Sequence, residues 1–397
     1  MGLLAVLLAA LAMLGPFSID TYLPSFPAMR ADFGVNAVQM QQTLSAYLVM
    51  FAVMTLFHGT LSDSFGRRPV ILWSLALFVV ASIGCAAAQT FSQLLFFRGV
   101  QGFSAGAGMV VGRAIIRDSF EGHAAQRLMS LVTMIFGLAP AVAPVIGGWL
   151  QGWFGWRAVF VFLVIYGALL LVACHIRLPE THPHSQRQPF ALMPLARNYW
   201  RLGRSVPLFL LSSAIALNFG GFFLYVVSAP AFIYDLLHLK ETEFAYLFVP
   251  GIAGVMFGAF VSGKLAGRVT PRGTVKIGYA VIFSAVTFNL IYSGAAEPAL
   301  PWSVLPVMVY SAGMALAMPS IALLALELFP QNRGMTASLQ GFEHSFVAGI
   351  VAGVVSPLLS ASAFTLALGM AMLALMGWSS WALYLFLERR NTGRARA

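Results

Sequence analysis

The sequence predicts an all-α membrane protein of twelve transmembrane helices arranged as two six-helix halves. Three observations carry that prediction. Charged residues make up only 9% of the chain and hydrophobic residues 59%, whereas an ordinary soluble domain is about a quarter charged. Twelve apolar runs each approach the roughly 20 residues that a helix needs to cross a bilayer. One polar, arginine-rich connector divides those runs six and six. So few charges cannot cover a water-facing surface, which excludes a soluble enzyme, a disordered chain and a disulfide scaffold. Cys85 and Cys174 lie inside apolar runs, so neither a disulfide framework nor a metal cluster is expected.

The predicted spans of the first half cover 3–23, 41–60, 70–88, 92–113, 127–150 and 156–176. Those of the second half cover 207–229, 244–264, 275–294, 303–327, 336–360 and 363–387. The organisation is therefore an N-terminal half (1–176), a cytoplasmic linker (177–206) and a C-terminal half with a short basic tail (207–397). The first run is read as a span and not as a signal peptide, because no Lys or Arg precedes it and Tyr22–Pro27 is a poor cleavage site.

Orientation follows from the cations. With the N-terminus inside, nineteen Lys and Arg fall in inner segments and three (Arg30, Arg157, Lys240) in outer ones. The inner group includes Arg67, Arg68, the linker arginines and the tail residues Arg389, Arg390, Arg394 and Arg396. The positive-inside rule then places both termini in the cytoplasm. The net charge of +10 is accordingly a membrane signature; no aromatic–basic surface motif suggests nucleic acid. A shift of 204 lays Gly59-Thr60-Leu61 on Gly263-Lys264-Leu265 and Arg68 on Arg272, at matching places in the two halves. Paired halves of this kind are a transporter plan, with substrate near the midplane.

Four segments carry the chemistry. After the second span comes Gly59-Thr60-Leu61-Ser62-Asp63-Ser64-Phe65-Gly66-Arg67-Arg68-Pro69. Its glycines suit close approach and a tight turn, Asp63 suits a helix N-terminus, and its arginines suit forked pairing with a carboxylate. The fourth span holds Arg98-Gly99-Val100-Gln101-Gly102, a charge at membrane depth that either faces the bundle interior or snorkels to the outer interface. The fifth reads Gly137-Leu138-Ala139-Pro140, then Ala141-Val142-Ala143-Pro144, then Val145-Ile146-Gly147-Gly148. Small residues there allow close helix packing, and the two prolines weaken or kink the helix. The first span ends in Asp20-Thr21-Tyr22-Leu23-Pro24-Ser25-Phe26-Pro27.

The loop at Gly59–Pro69 resembles the G-x-L-(S/A)-D-x-x-G-R-R-P signature of the major facilitator superfamily. Arg98–Gly102 resembles that family's R-x-x-Q-G motif. Gly137–Gly148 resembles its proton-antiporter motif, with Ala143 where glycine is usual. Asp20–Pro27 resembles the D-x-Y-L-P-x-x-P segment of the Bcr/CflA branch of drug:proton antiporters. The resemblance implies multidrug, chloramphenicol or bicyclomycin efflux across a bacterial inner membrane. It also implies that Gly59, Asp63, Gly66, Arg67 and Arg68, with Asp118 as partner carboxylate, form a cytoplasmic gate. Gly137, Pro140, Pro144, Gly147 and Gly148 would set the direction of transport as export.

Among thirteen acidic residues, only Asp20 and Glu343 fall within spans. A carboxyl group in apolar surroundings favours its neutral form, so Asp20 can take a proton from one side and release it to the other. Asp20 and Arg98 are thus the candidate proton-coupling residues. The competing reading of Asp20 is a local cap on a broken helix before Pro24. Candidate substrate contacts are Tyr47, Asn218, Tyr225 and Tyr310, with Glu343 and His344 of the eleventh span. Glu343 either meets a cation, adds a proton site, or pairs with His344 or a neighbouring helix. His58 is expected at the inner interface.

These readings predict a proton-coupled antiporter, expected as a monomer, that exports hydrophobic or amphipathic small molecules by alternating access. Protons serve as the coupling ion, and no metal or other cofactor is expected. The alternatives are a proton-coupled metabolite importer on the same fold and a transport-dead sensor. An enzyme is not expected, for want of a nucleophile–base arrangement or a phosphate-binding loop.

Overall fold

The computed structural model describes residues 2–187 and 189–394. Twelve of its helical segments are long and apolar enough to cross a bilayer. The chain separates into two compact units, Met1–Ala191 with Leu239–Ala245, and Leu192–His238 with Tyr246–Ala397.

The first unit contains α1 (Gly2–Asp20), α2 (Phe26–Phe33), α3 (Ala37–Phe65), α4 (Arg67–Ala87), α5 (Phe91–Ser119), α6 (Gly122–Phe154) and α7 (Trp156–Arg177). The first span is longer than predicted, running from Leu4 to Phe33, and it is broken. A 3₁₀ turn at Leu23–Ser25 separates α1 from α2, with Pro24 and Pro27 in the opening positions of the two segments. Proline is tolerated there because the first N–H groups of a helix have no internal partner. Reciprocal caps fix two other starts. Asn36 and Gln39 exchange side-chain-to-backbone bonds at α3 (2.8 and 2.9 Å), and Thr90 and Gln93 do so at α5 (3.3 Å each). These caps explain why α3 and α5 begin outside the apolar runs. Pro140 and Pro144 do not interrupt α6, which runs continuously from Gly122 to Phe154.

The second unit contains α8 (Leu192–Gly203), α9 (Val206–Val227), α10 (Ala245–Leu265), α11 (Pro271–Ala295), α12 (Leu305–Glu327), α13 (Arg333–Ile350), α14 (Ser356–Leu359) and α15 (Ala363–Arg394). The eleventh span changes its winding at Val351–Val355, where the helix widens to a π turn before Pro357. Proline returns no N–H to the preceding turn, and a wide turn is one way to absorb that loss.

The segment 177–206 is more structured than a polar connector. Its first part folds back onto the first unit, where Glu180 accepts from the backbone N–H of Arg67 at 3.0 Å. Its second part is the amphipathic helix α8, which belongs to the second unit and buries Leu195 and Leu202. Arg396 of the basic tail lies outside the described residues.

The internal repeat has a structural counterpart. Arg68, at the start of α4, donates to the carbonyl of His175 near the end of α7 (2.7 Å). Arg272, in the first turn of α11, donates to Glu388 in the last part of α15 (2.5 Å). In each unit, an arginine opening the third span ties down the end of the sixth.

Within the first unit, α5 approaches α3 closely at Gly102, where a Cβ would collide with the Tyr47 carbonyl. Gly102→Val should wedge the helices apart at a cost of about 1–3 kcal/mol. A lower melting temperature in detergent micelles is expected, read by fluorescence-detected size exclusion. Unchanged melting would contradict the close contact.

Candidate functional site

Arg98 is the centre of the first unit's polar interior. It is 0% exposed, so its guanidinium does not snorkel to an interface. Nη1 donates to the Ser18 carbonyl at 3.0 Å and to Gln101 Oε1 at 2.7 Å. The guanidinium carbon lies 4.2 Å over the Tyr22 ring and 4.6 Å over the Tyr47 ring. Gln101 in turn donates to Ser82 Oγ at 2.7 Å, and Ser82 donates to the Phe78 carbonyl. Arg98 and Gln101 are one helical turn apart on α5, which puts both on the face toward α1 and α4. The local sequence therefore creates a cation held by oxygen acceptors and aromatic faces, with no carboxylate within pairing distance among the described residues.

Asp20 is the last residue of α1 and is 4% exposed. It accepts no hydrogen bond and joins no ion pair among the described residues, and the helix starts that follow have no side-chain cap. The capping reading of Asp20 is therefore not what the structure shows. Thr21 beside it donates to the Phe17 carbonyl at 2.6 Å. Tyr47 is the electrostatic neighbour of Asp20 and also lies over Arg98. Tyr47 thus belongs to the buried cation's surroundings.

The glycine-and-proline run of α6 packs directly onto this region. A Cβ at Gly147 would strike the backbone carbonyl of Thr21, the residue after Asp20. A Cβ at Gly148 would strike the carbonyl of Glu241, in the short segment that joins the first unit. Ala139 and Ala143 are fully buried on the same helix. Gly137 has open space around it, so no close approach requires glycine there.

The loop between α3 and α4 forms a charged cluster. Arg67 donates through Nε to Asp118 Oδ2 (2.9 Å) and through Nη1 to Ser62 Oγ (2.7 Å) and Asp63. Gly66 adopts φ +101°, a conformation that favours glycine, and Glu180 and Arg187 crowd the place where a side chain would sit. Gly59 has ordinary clearance, with Val110 at 3.9 Å from its would-be Cβ. The expected forked pairing is not formed: Arg67 gives one contact to each of two carboxylates, and Arg68 meets a backbone carbonyl instead. Glu180 and Arg187 were not legible as members of this cluster, because the chain returns to it from more than a hundred residues away.

In the second unit, the polar aromatic candidates bind one another's surroundings. Asn218 donates to the Tyr279 hydroxyl (2.8 Å), Tyr310 donates to the Asn218 carbonyl (3.0 Å), and Asn289 donates to the Tyr225 hydroxyl (2.8 Å). Asn218, Tyr225 and Tyr310 are all buried. Tyr279 and Asn289 were missed; an Asn within an apolar span needs a partner, which was the available signal. Glu343 does not pair with His344. It accepts from Ser213 Oγ of α9 at 2.5 Å, while the His344 ring lies 4.1 Å from that of Phe219. His58 is 1% exposed and packs beside Gly106 of α5, so it is a core residue and not an interfacial one. No group of three or more His, Cys, Asp or Glu suited to a metal occurs among the described residues.

Residues 8–353 match the family described as Major Facilitator Superfamily. The chain is 29% identical over 385 residues to a bicyclomycin resistance protein homolog of Haemophilus influenzae, covering 97% of this chain and 96% of that one. It is 30% identical over 335 residues to multidrug resistance protein MdtL of Escherichia coli, covering 84% and 83%. Among solved structures, it resembles an inward-facing, unoccupied bacterial homolog of the human lysosomal transporter Spinster. That likeness has a TM-score of 0.72 at 16% identity, covers 97% and 96% of the two chains, and speaks to the fold alone.

The cluster around Arg67 carries a test. Glu180→Gln removes the charge that holds both the Arg67 backbone and Arg187. Faster hydrogen exchange across residues 178–187 is expected by mass spectrometry, with exchange in α5 unchanged. Wild-type protection of that segment would show that Glu180 does not anchor it.

Proposed function

The chain belongs to the major facilitator superfamily, and on that premise we propose that it is a proton-coupled antiporter exporting hydrophobic or amphipathic small molecules by alternating access. The observation that carries this reading is Asp20, a carboxyl group buried at the break in the first span, without a hydrogen bond or a cation among the described residues. Such a group is favoured when neutral and costly when charged. Its protonation state therefore biases a two-state equilibrium. Taking up a proton on the outer side and releasing it on the inner side would drive the exchange.

The surroundings supply the mechanical link. Ser18, two residues before Asp20, is tied to Arg98, and Thr21, the residue after it, touches Gly147. A change of charge at Asp20 would thus act on α5 through Arg98 and on α6 through its glycine face. The Arg67 cluster, with Asp63 and Asp118, would act as the cytoplasmic gate. The names of the relatives, bicyclomycin and multidrug resistance proteins, support drug-like substrates. The cation distribution supports an orientation with both termini in the cytoplasm of a bacterial inner membrane. A monomer that uses protons and no other cofactor completes the reading.

Asp20→Asn should reduce proton-driven export by about tenfold or more while leaving membrane insertion intact. Uptake of a labelled drug into inside-out vesicles under an inside-acid gradient measures this, and accumulation only in right-side-out vesicles would indicate import. Wild-type resistance together with wild-type proton release in the variant would remove Asp20 from the mechanism. Arg98→Lys should also impair export, because a lysine ammonium cannot reproduce the planar stacking between two rings. Unaltered drug uptake in that variant would mean that Arg98 serves packing alone.

A further inference from the structure

We propose that α8 docks on the inner leaflet and takes anionic phospholipid headgroups on Arg197, Arg201 and Arg204. This rests on the cytoplasmic placement of the linker in the reading above.

The segment carries cations without counter-charges. From Thr181 to Tyr234 the chain has no Asp or Glu, while three arginines fall between 197 and 204. None of the three joins an ion pair among the described residues. All three are exposed, and the Arg204 guanidinium carbon lies 4.7 Å over the Trp200 ring.

The helix also has one apolar stripe more than a helix in water would keep. At 3.6 residues per turn, Leu195, Tyr199 and Leu202 share the side packed on the second unit. The two leucines are buried, and Tyr199 shares a hydrogen bond with Ser338 of α13. Beside that side stand Leu192, Met193 and Trp200, which are 56%, 71% and 65% exposed. Arg197 and Arg201 follow on the next side. A surface helix of a soluble domain turns its apolar stripe to the core and its polar face to water. A second apolar stripe edged by arginines is the pattern of a helix lying in a bilayer interface. The position agrees. Gly203 stands three residues before Val206, where the seventh span begins, so the end of α8 lies within about 11 Å of that span. Val206 and Phe209, both exposed, continue the apolar surface into α9.

The charge pattern selects the headgroup. Arginine forks suit phosphate oxygens. A zwitterionic lipid brings an ammonium with each phosphate, and α8 offers that ammonium no carboxylate. A headgroup of net negative charge meets three unpaired guanidiniums without this mismatch, and tryptophan suits the headgroup level. Docking would hold the start of α9 at a fixed depth.

The test is hydrogen exchange of the full-length protein in nanodiscs, read by mass spectrometry. The discs hold either phosphatidylcholine alone or an equal mixture with phosphatidylglycerol. Residues 192–204 should exchange about tenfold more slowly in the mixture, with exchange in α13 unaltered. Raised salt should shrink the difference. Combining Arg197→Gln, Arg201→Gln and Arg204→Gln should abolish the difference and leave the melting temperature as in wild type. Combining Arg197→Lys, Arg201→Lys and Arg204→Lys, which keeps the charge, should retain it. Equal exchange of the wild type in the two lipids overturns the proposal, as does a lipid effect that survives the three glutamines. Slowing that appears only as protein concentration rises in detergent would make the occupant a second copy and likewise overturn it. A separate measurement checks the orientation. Ser185→Cys should be shielded from an impermeant maleimide added outside intact cells. Labelling there, with the lipid effect intact, would sustain the headgroup site and sink the cytoplasmic placement instead.

Discussion

A fully buried guanidinium with no paired carboxylate among the described residues is the constraint around which the first unit is organised. Removing an ion from water costs on the order of several kcal/mol even after relaxation. That cost must be met by acceptors held in place. Arg98 Nη1 has two, the Ser18 carbonyl of α1 and Gln101 of α5, itself fixed by Ser82 of α4, and the rings of Tyr22 in the turn after α1 and Tyr47 of α3 cover its faces. None of these partners is titratable near neutral pH. The cation is thus held by dipoles and ring faces, with no carboxylate paired to it among the described residues. Direct pairing with Asp20 would stabilise that carboxylate and hold it ionised.

The Arg67 cluster is built on the opposite principle. Arg67 meets two carboxylates, and Asp63 keeps about half of its side chain exposed. Pairs with that much solvent contribute little stability individually. Their value is geometric: one guanidinium gathers the end of α3, the start of α4 and the end of α5 at a single point. Glu180 adds the returning linker to that point through the Arg67 backbone. A wet, multi-partner cluster of this kind can be broken and remade at modest cost.

The spans were legible because their signal is length and apolarity, and these depend on local composition alone. The ends were less so. The caps at Asn36 and Thr90 lie outside the apolar runs, and the first span continues past Pro24 because a 3₁₀ turn carries it across the proline. In the charged loop, fixed spacing made Asp63 and Arg67 readable, whereas Glu180 arrives by a fold-back that no spacing encodes. Tyr47 shows a different limit. An aromatic residue in a span looks the same whether it faces a ligand, lipid or a buried arginine, and only the packing of α3 on α5 decides. Asn218, Tyr225 and Tyr310 were visible as polar groups, but their partners Tyr279 and Asn289 sit on a helix whose proximity the sequence does not announce.

The repeat separates what is architectural from what is chemical. Arg68 and Arg272 occupy corresponding positions and perform the same task, tying the third span of each unit to the end of the sixth. The position matching Asp20 is Leu224, a fully buried hydrocarbon. The second unit's mid-span acid instead stands on α13, with Ser213 of α9 for a partner. If duplicated halves had kept duplicated chemistry, each would carry a sealed carboxyl at the end of its first span. One half carries a buried acid at the end of the first helix, and the other a half-buried acid on α13. The scaffold is therefore shared, while the placement of the acids within the spans is not.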